Sequence, residues 1–397
     1  MSEFTNTKQE RIQILNLYMV GIVEGKNGAK LVKDLGLKET SFLPTDVIAV
    51  FDLLFDAKIE VNKLKSASNK LFNILYESLK AYPQIKPKKN SFISYFQKDN
   101  AQIKKILKKL NPLIQSINHE IREETLAELH KQFNELQKIE LHYTAKENIL
   151  FPQLEAHWKE YGCLKLMWSF HDDIRQNLKQ ILALIISANF DLKTFNKLAG
   201  LLFFNISTII FREERILFPT MTETLIPALM DKMLIELAEM KLPFIKIKNP
   251  AYKIKKEVDS FNKRIINFSS GKISIEQIEL IFNHLPVDIT FVDEYEKVCF
   301  FSSPKHRIFP RSASIIGREV QNCHPPDSVD VVNRIIESFK SGEKENASFW
   351  LKLGEKFVLI QYFAVRDTNQ NYRGVLEVSQ EISEIQSLSG EKKLLDW

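Results

Sequence analysis

The sequence predicts a multidomain protein in which an all-α N-terminal region is followed by an α+β C-terminal domain. The 397 residues exceed what one hydrophobic core usually organises. From about residue 8 to residue 244, apolar residues recur every three or four positions, the period of amphipathic helices. After Gly271 the pattern changes to short alternating segments separated by turn-forming residues, which is typical of strands. We therefore expect the boundary between the two parts within residues 242–272.

Proline and glycine residues mark where the N-terminal helices should end. Breaks are expected at Pro44, at residues 83–87 and at Gly162. Pro152 and Pro219 are expected to close two helices, because proline lacks the backbone donor that continues a helix. Several helices of bundle length result.

The C-terminal part should form an antiparallel sheet around a central helix. Residues 287–301 read as a hairpin and residues 347–378 as a three-stranded meander. Between them, Asp327 or Ser328 can cap a helix that ends before Gly342. The expected parts of the chain are a helical N-terminal region, a helical bundle, a linker or helix, an α+β domain and a tail: 1–88, 89–245, 246–272, 273–385 and 386–397.

Charge and composition favour a cytoplasmic protein that binds neither nucleic acid nor membrane. The net charge is +5, and eight Lys or Arg lie between Lys241 and Arg264. A solvated linker explains that run better than a nucleic-acid contact, because no DNA-binding motif accompanies it. The polar N-terminus has no secretory pattern, and the apolar run 198–211 is too short to span a bilayer. Three widely spaced cysteines give no disulfide framework.

Two segments of the helical region are near copies, which indicates an internal duplication. Residues 147–152 (ENILFP) match residues 214–219 (ERILFP) at an offset of 67. Two duplicated helix pairs can form a four-helix bundle whose inward carboxylates hold metal. The alternative is that each motif packs an apolar helix end and leaves its glutamate exposed.

Two histidines lie close enough to these motifs to complete a metal site. His142 precedes Glu147 by five residues, roughly 7.5 Å along a helix, so both side chains can approach neighbouring metal ions. His171 lies in the next helix beside aromatic residues. Imidazole and carboxylate ligands together suit iron. A histidine near aromatic residues is also a common packing residue, so both interpretations stay open.

The motifs resemble those of the hemerythrin-like HHE cation-binding family. The segments 142–152, 167–175 and 211–219 are similar to that family's second, third and fourth helix motifs, and the resemblance covers about 91–224. It implies an up-down four-helix bundle that commonly carries non-haem iron, often as a di-iron centre. The metal ligands that it implies here are His142, Glu147, His171, Glu213 and Glu214, with Asp99 or Asp172 as further candidates.

The chain departs from the family pattern at three positions. At the offset of 67, Ile209 is the counterpart of His142 and Lys104 is the counterpart of His171. The position four residues after His171, where the family usually has a ligand, is Arg175. A full five-histidine set is therefore absent, and the remaining set is rich in carboxylates.

The C-terminal part resembles a PAS domain, from residue 284 to about residue 382. Residues 284–293 are similar to its opening strand, and 316–326 to a variant found after hemerythrin-like bundles. PAS domains sense small ligands or dimerise, so the resemblance implies a homodimer. Cys323 or His324 could ligate haem, although the prolines after them more often start a helix.

Three functions follow from these expectations. The first is a cytoplasmic sensor in which a hemerythrin-like bundle responds to O2, NO or redox state, while the PAS domain relays the signal or dimerises. Output would pass through an unknown protein partner, since no output motif is present. The second is a di-iron oxidoreductase acting on peroxide or NO. The third is a metal-free interaction scaffold. A binding role is favoured over an enzyme.

Overall fold

The computed structural model describes residues 7–83, 86–248, 265–268 and 270–391, and the chain divides into two compact units, Met1–Ala251 and Tyr252–Trp397. The described part of the first unit is helical, as predicted. Its helices are α1 Lys8–Val23, α2 Gly28–Asp34, α3 Pro44–Asp56, α4 Val61–Ala81, α5 Phe92–His119, α6 Glu123–Gln137, α7 Ile139–Ala145, α8 Phe151–His157, α9 Gly162–Ile185, α10 Leu192–Arg212, α11 Phe218–Thr224 and α12 Pro227–Met240.

Four of these segments close into a bundle. Helix α5 contacts α6 and α10, and α9 contacts the same two neighbours, so the four form a ring. Helices α1, α3 and α4 pack together, and α3 and α4 lie against α9. One apolar core runs from Leu15 to Leu242. The N-terminal region 1–88, predicted as a separate part, therefore shares its core with the bundle.

The start of α9 is fixed by an aspartate from the N-terminal helices. The Asp52 Oδ1 atom accepts hydrogen bonds from the backbone N–H groups of Tyr161, at 3.1 Å, and Gly162, at 2.6 Å. A Cβ on Gly162 would lie 2.9 Å from the Asp52 Oδ1 atom and 3.1 Å from the Asp52 Cα atom, closer than a Cβ normally approaches, so glycine favours this contact. This contact joins α3 to the helix that carries His171.

The second unit contains the predicted antiparallel sheet. Its strands are β1 Ile265–Phe268, β2 Gly271–Ser274, β3 Asp288–Asp293, β4 Val298–Phe301, β5 Asn346–Leu353, β6 Lys356–Arg366 and β7 Tyr372–Glu381. The last five form one sheet in the order β4-β3-β7-β6-β5, so the predicted hairpin and meander are confirmed. Its helices are α13 Ile275–His284, α14 Val329–Ser341 and α15 Ser383–Gln386. Gly342 ends α14 with a φ of 77°, as its position predicted.

Part of the segment 246–272, which was predicted as a linker or helix, forms strands instead. Strands β1 and β2 pair antiparallel, with Ile266 opposite Ile273. Residues 265–268 read Ile-Ile-Asn-Phe, a strand-forming run, and Gly271 adopts a φ of 152° where the hairpin returns. Residues 249–264, which hold most of the basic run and of the predicted linker, lie outside the described residues.

The fourth bundle helix continues through α10 and α11. This helix, Leu192–Thr224, is long and apolar enough to cross a membrane by length and composition, although 39% of its most apolar window is buried. The prediction of no transmembrane segment considered only the shorter run 198–211. Core helices of helical bundles pass the same test, and this one carries the buried side chains of Arg212 and Glu213.

We expect Asp52→Ala to lower the free energy of unfolding of the chain by about 1 kcal/mol, because α9 loses the acceptor for its first N–H groups. The control is Asp56→Ala, which removes an exposed carboxylate at the end of the same helix. Urea denaturation followed by circular dichroism measures both. Equal effects of the two substitutions would contradict a capping role for Asp52.

Candidate metal centre

Two π turns lie at matching places in the duplicated halves. They cover Lys146–Leu150 and Glu213–Leu217, between α7 and α8 and between α10 and α11. In each, the N–H of the next residue donates to the carbonyl oxygen five positions back: Phe151 to Lys146, and Phe218 to Glu213. The duplication seen in the sequence therefore extends to an unusual backbone feature.

These turns explain why Pro152 and Pro219 do not close their helices, contrary to the prediction. Each proline is in the first turn of the α-helix that follows its π turn. The wider π turn gives room for a ring that would clash with a preceding α turn, and it absorbs the loss of one backbone donor. Both helices therefore continue past their prolines.

The first π turn buries two adjacent charged residues, Lys146 and Glu147. The Lys146 side chain is fully buried, and its ammonium forms an ion pair with the Oε1 atom of Glu213, which is also fully buried. The other oxygen of Glu213 accepts from Asn100 Nδ2 at 3.0 Å. The Lys146 ammonium also lies 4.7 Å from the centre of the Tyr143 ring, a cation–π distance.

Glu147 is held by two nitrogen groups from α9. Its Oε1 atom lies 2.9 Å from His171 Nδ1, and its Oε2 accepts from Arg175 Nη2 at 2.8 Å. Burial raises the pKa of Glu147, but Arg175 and His171 outweigh burial and lower it to about 2. Arg175 reaches a second carboxylate, Asp172, at 2.9 Å. Glu147 is thus a buried anion with its countercharge already in place.

His142 is paired with Asp99 of α5. The His142 Nδ1 atom lies 2.7 Å from Asp99 Oδ2, and the other Asp99 oxygen accepts from the Phe244 N–H at 3.1 Å. Burial raises the pKa of Asp99 to about 7 and lowers the pKa of His142 well below its ordinary value. Burial thus disfavours the charged form of both members of this pair.

The His171 ring packs between aromatic side chains. It stacks on Tyr143 with ring centres 4.0 Å apart, and on Phe151 at 5.9 Å. Burial lowers the pKa of His171 to about 3, so the imidazole is neutral. Its Nε2 atom and the Tyr143 hydroxyl are buried without a hydrogen-bond partner within the described parts of the chain.

The structure separates the two glutamates that the sequence left together. Glu213 faces the bundle axis, whereas Glu214 faces outward and forms an ion pair with Lys104 at 2.9 Å. The prediction that Glu214 converges with His142, Glu147 and His171 is therefore wrong. Its counterpart in the first half, Glu147, is buried because His171 and Arg175 of α9 bind its carboxylate, whereas Glu214 binds Lys104 at the surface.

Sequence reasoning missed Lys146, the residue at the centre. The repeat offset would have revealed it, because Lys146 and Glu213 are separated by the same 67 residues. Asn100 and Arg175 gave no such signal, since their roles follow from contacts between distant helices.

These residues do not fit a di-iron centre. No group of three or more His, Cys, Asp or Glu with a metal-binding arrangement occurs within the described ranges. The carboxylates of Glu147 and Glu213, which would bridge or terminate iron, are occupied by Arg175, Lys146 and Asn100. A fixed ammonium at the axis also repels a metal cation.

The two haem-ligand candidates lie in the second unit, at the end of a 3₁₀ turn, Val320–Cys323. Cys323 packs in that unit's apolar core with Ile336 and Phe339. The His324 Nδ1 atom lies 2.8 Å from the Val320 carbonyl oxygen of the same turn. Both side chains thus have structural contacts, and haem binding stays a prediction.

Comparison with protein families confirms both resemblances. Residues 91–221 match the hemerythrin HHE cation binding domain, and residues 278–383 match a PAS domain family. The first of these families binds cations, typically iron. The match therefore implies a cation site. In this bundle, however, Lys146 and Arg175 bind the carboxylates that would hold the cation. No protein with a curated description matches the chain.

Three solved structures are similar to parts of the chain. A C-terminal domain from Streptococcus mutans is 34% identical, with a TM-score of 0.31, and the match covers 32% of this chain and 99% of that one. A sensory box sensor histidine kinase from Vibrio cholerae is 10% identical, with a TM-score of 0.21 and coverages of 27% and 89%. The PAS domain of a protein from Colwellia psychrerythraea is 12% identical, with a TM-score of 0.22 and coverages of 28% and 98%.

We expect Arg175→Met to destabilise the chain by about 2 kcal/mol, because Glu147 would keep its buried negative charge and lose its main countercharge. Lys179→Met is the matched control, since Lys179 is exposed one turn further along α9. Guanidinium denaturation measures both variants. If the two lose the same stability, Glu147 does not depend on Arg175.

Proposed function

We propose that this chain, in which a hemerythrin HHE cation-binding domain is followed by a PAS domain, is a sensory protein whose PAS unit relays its signal by self-association. The pairing of these two domains supports a sensory role. Each unit has its own apolar core. In this proposal the helical unit responds to the signal, and the unit with the sheet relays it. Output would pass through a protein partner.

The chemistry of the bundle supports one version of this function over the others. A response to O2, NO or redox state through iron, and an oxidoreductase acting on peroxide or NO, both need carboxylate and imidazole ligands free to bind metal. In this bundle the buried glutamates are paired with protein cations. The best-supported version is therefore a sensory protein whose bundle acts as a metal-free interaction module.

The observation that carries the relay by self-association is the edge of the PAS sheet. Strand β5 is the last of the five strands and pairs only with β6 among the described strands. Its residues Phe349, Trp350, Leu351 and Leu353 are exposed, Trp350 by 65%. A long apolar edge strand in an isolated domain invites pairing with another chain. We therefore propose a homodimer in which β5 is covered.

The cytoplasm is the proposed location. Cys163, Cys299 and Cys323 form no disulfide in the structure, which suits a reducing compartment. Burial raises the pKa of the Cys163 thiol, so this thiol resists oxidation.

We expect Trp350→Glu to raise the dissociation constant of the dimer by about tenfold or more, because the substitution puts a charge at an apolar contact. Tyr295→Glu is the control, since Tyr295 is 75% exposed in the turn between β3 and β4 at the other edge of the sheet. Sedimentation velocity over a concentration series measures both. A monomeric wild type, or an equally stable dimer after removal of residues 252–397, contradicts relay through this edge.

A further inference from the structure

The two halves of the duplicated bundle meet at one pair of equivalent residues. Lys146 and Glu213 open the two π turns, occupy the same position in the repeat and contact each other across the axis. One half thus supplies a cation where the other supplies a carboxylate. A pair of equivalent carboxylates would be held together by a metal ion, whereas this pair needs none.

The polar contacts around this pair join all four helices of the bundle. Asn100 of α5 donates to Glu213 in the fourth helix. Glu213 pairs with Lys146 in the second helix, which runs from α6 through α7 and the first π turn to α8. The neighbouring Glu147 binds His171 and Arg175 of α9. Each of the four helices therefore has at least one polar contact at the centre of the bundle. A metal ion bound by all four helices would join them in the same way.

The two buried glutamates at the centre are neutralised without a metal. Glu147 and Glu213 are the buried anions, and Arg175 and Lys146 are the cations paired with them. Neither glutamate has a negative charge left over to offset a divalent ion, whose charge would also lie close to the Lys146 ammonium.

We propose that the Lys146 ammonium takes the place of the metal ion in this bundle and serves as the built-in cation that joins its halves. Lys146 does not reach solvent, because its side chain is fully buried. The burial is compensated by Glu213 and by the face of the Tyr143 ring. This inference rests on the proposed metal-free module, and it identifies the residue that makes the module independent of metal.

The first test gives the centre a second carboxylate and asks whether it then takes up metal. Full-length wild type and Lys146→Glu are incubated anaerobically with ferrous iron or cobalt(II), desalted and analysed for metal content and for the cobalt absorption spectrum. We expect less than about 0.1 ion per chain in wild type and about one or more in Lys146→Glu, with a metal-dependent rise in its melting temperature. Lys104→Glu, which changes an exposed Lys–Glu pair, should stay metal-free.

A second test covers the case in which Lys146→Glu does not fold. In Lys146→Met the Glu213 charge is buried without its countercharge, so we expect the folding equilibrium constant to fall by about 100-fold or more. Lys146→Met combined with Glu213→Gln removes both charges and should regain at least about tenfold of that loss.

Three results would overturn the proposal. One is a wild-type protein that retains stoichiometric iron and loses it in His171→Ala. Another is a folded Lys146→Glu protein that takes up no metal. The third is a Lys146→Met protein as stable as wild type. None of these results changes the dimer measurement at Trp350. A failure of the proposal about Lys146 can therefore be distinguished from a failure of the proposed relay through the PAS dimer.

Discussion

A carboxylate buried at the axis of a helical bundle has to be neutralised, and in this protein a lysine from the equivalent helix of the other half neutralises it. Leaving such a group unpaired would cost about 3–5 kcal/mol, a large share of the stability of an ordinary domain. The Lys146–Glu213 pair therefore requires the second and fourth helices to face each other, with their π turns at the same level along the bundle axis. The contacts of Asn100 and Glu147 are arranged around it.

Lys146 and Glu213 are each the first residue of a π turn. Lys146 and Glu147 are adjacent in the first turn, and both are buried. The first half therefore contributes a cation to the axis and an anion to α9. In the second turn only Glu213 turns inward, while Glu214 stays at the surface. Two turns with the same backbone thus have different roles, because their side chains differ.

Much of the fold follows from pattern, whereas the centre depends on contacts that no local pattern specifies. The class and order of the elements could be predicted from helical periodicity, from alternating strand patterns and from Gly342. Each of these patterns depends on residues that are close together in the sequence. The ENILFP and ERILFP motifs located the centre. They could not show that Arg175 reaches Glu147 or that Asn100 reaches Glu213, since those pairs are separated by 28 and 113 residues. The continuation past Pro152 was missed because a π turn has no simple sequence signature.

The contacts of Arg212 show that the segment similar to the hemerythrin family is shorter than the segment that packs as one core. Its guanidinium is buried between the rings of Phe72 and Phe170, and it donates to Ser68 and Asn69 of α4. These α4 residues lie outside the segment 91–221 that matches the hemerythrin family. If that segment were excised, Arg212 would keep Phe170 but lose every acceptor that binds it here, and the faces of α9 that α3 and α4 cover would meet water. A fragment that keeps these contacts therefore has to begin before the segment that matches the hemerythrin family.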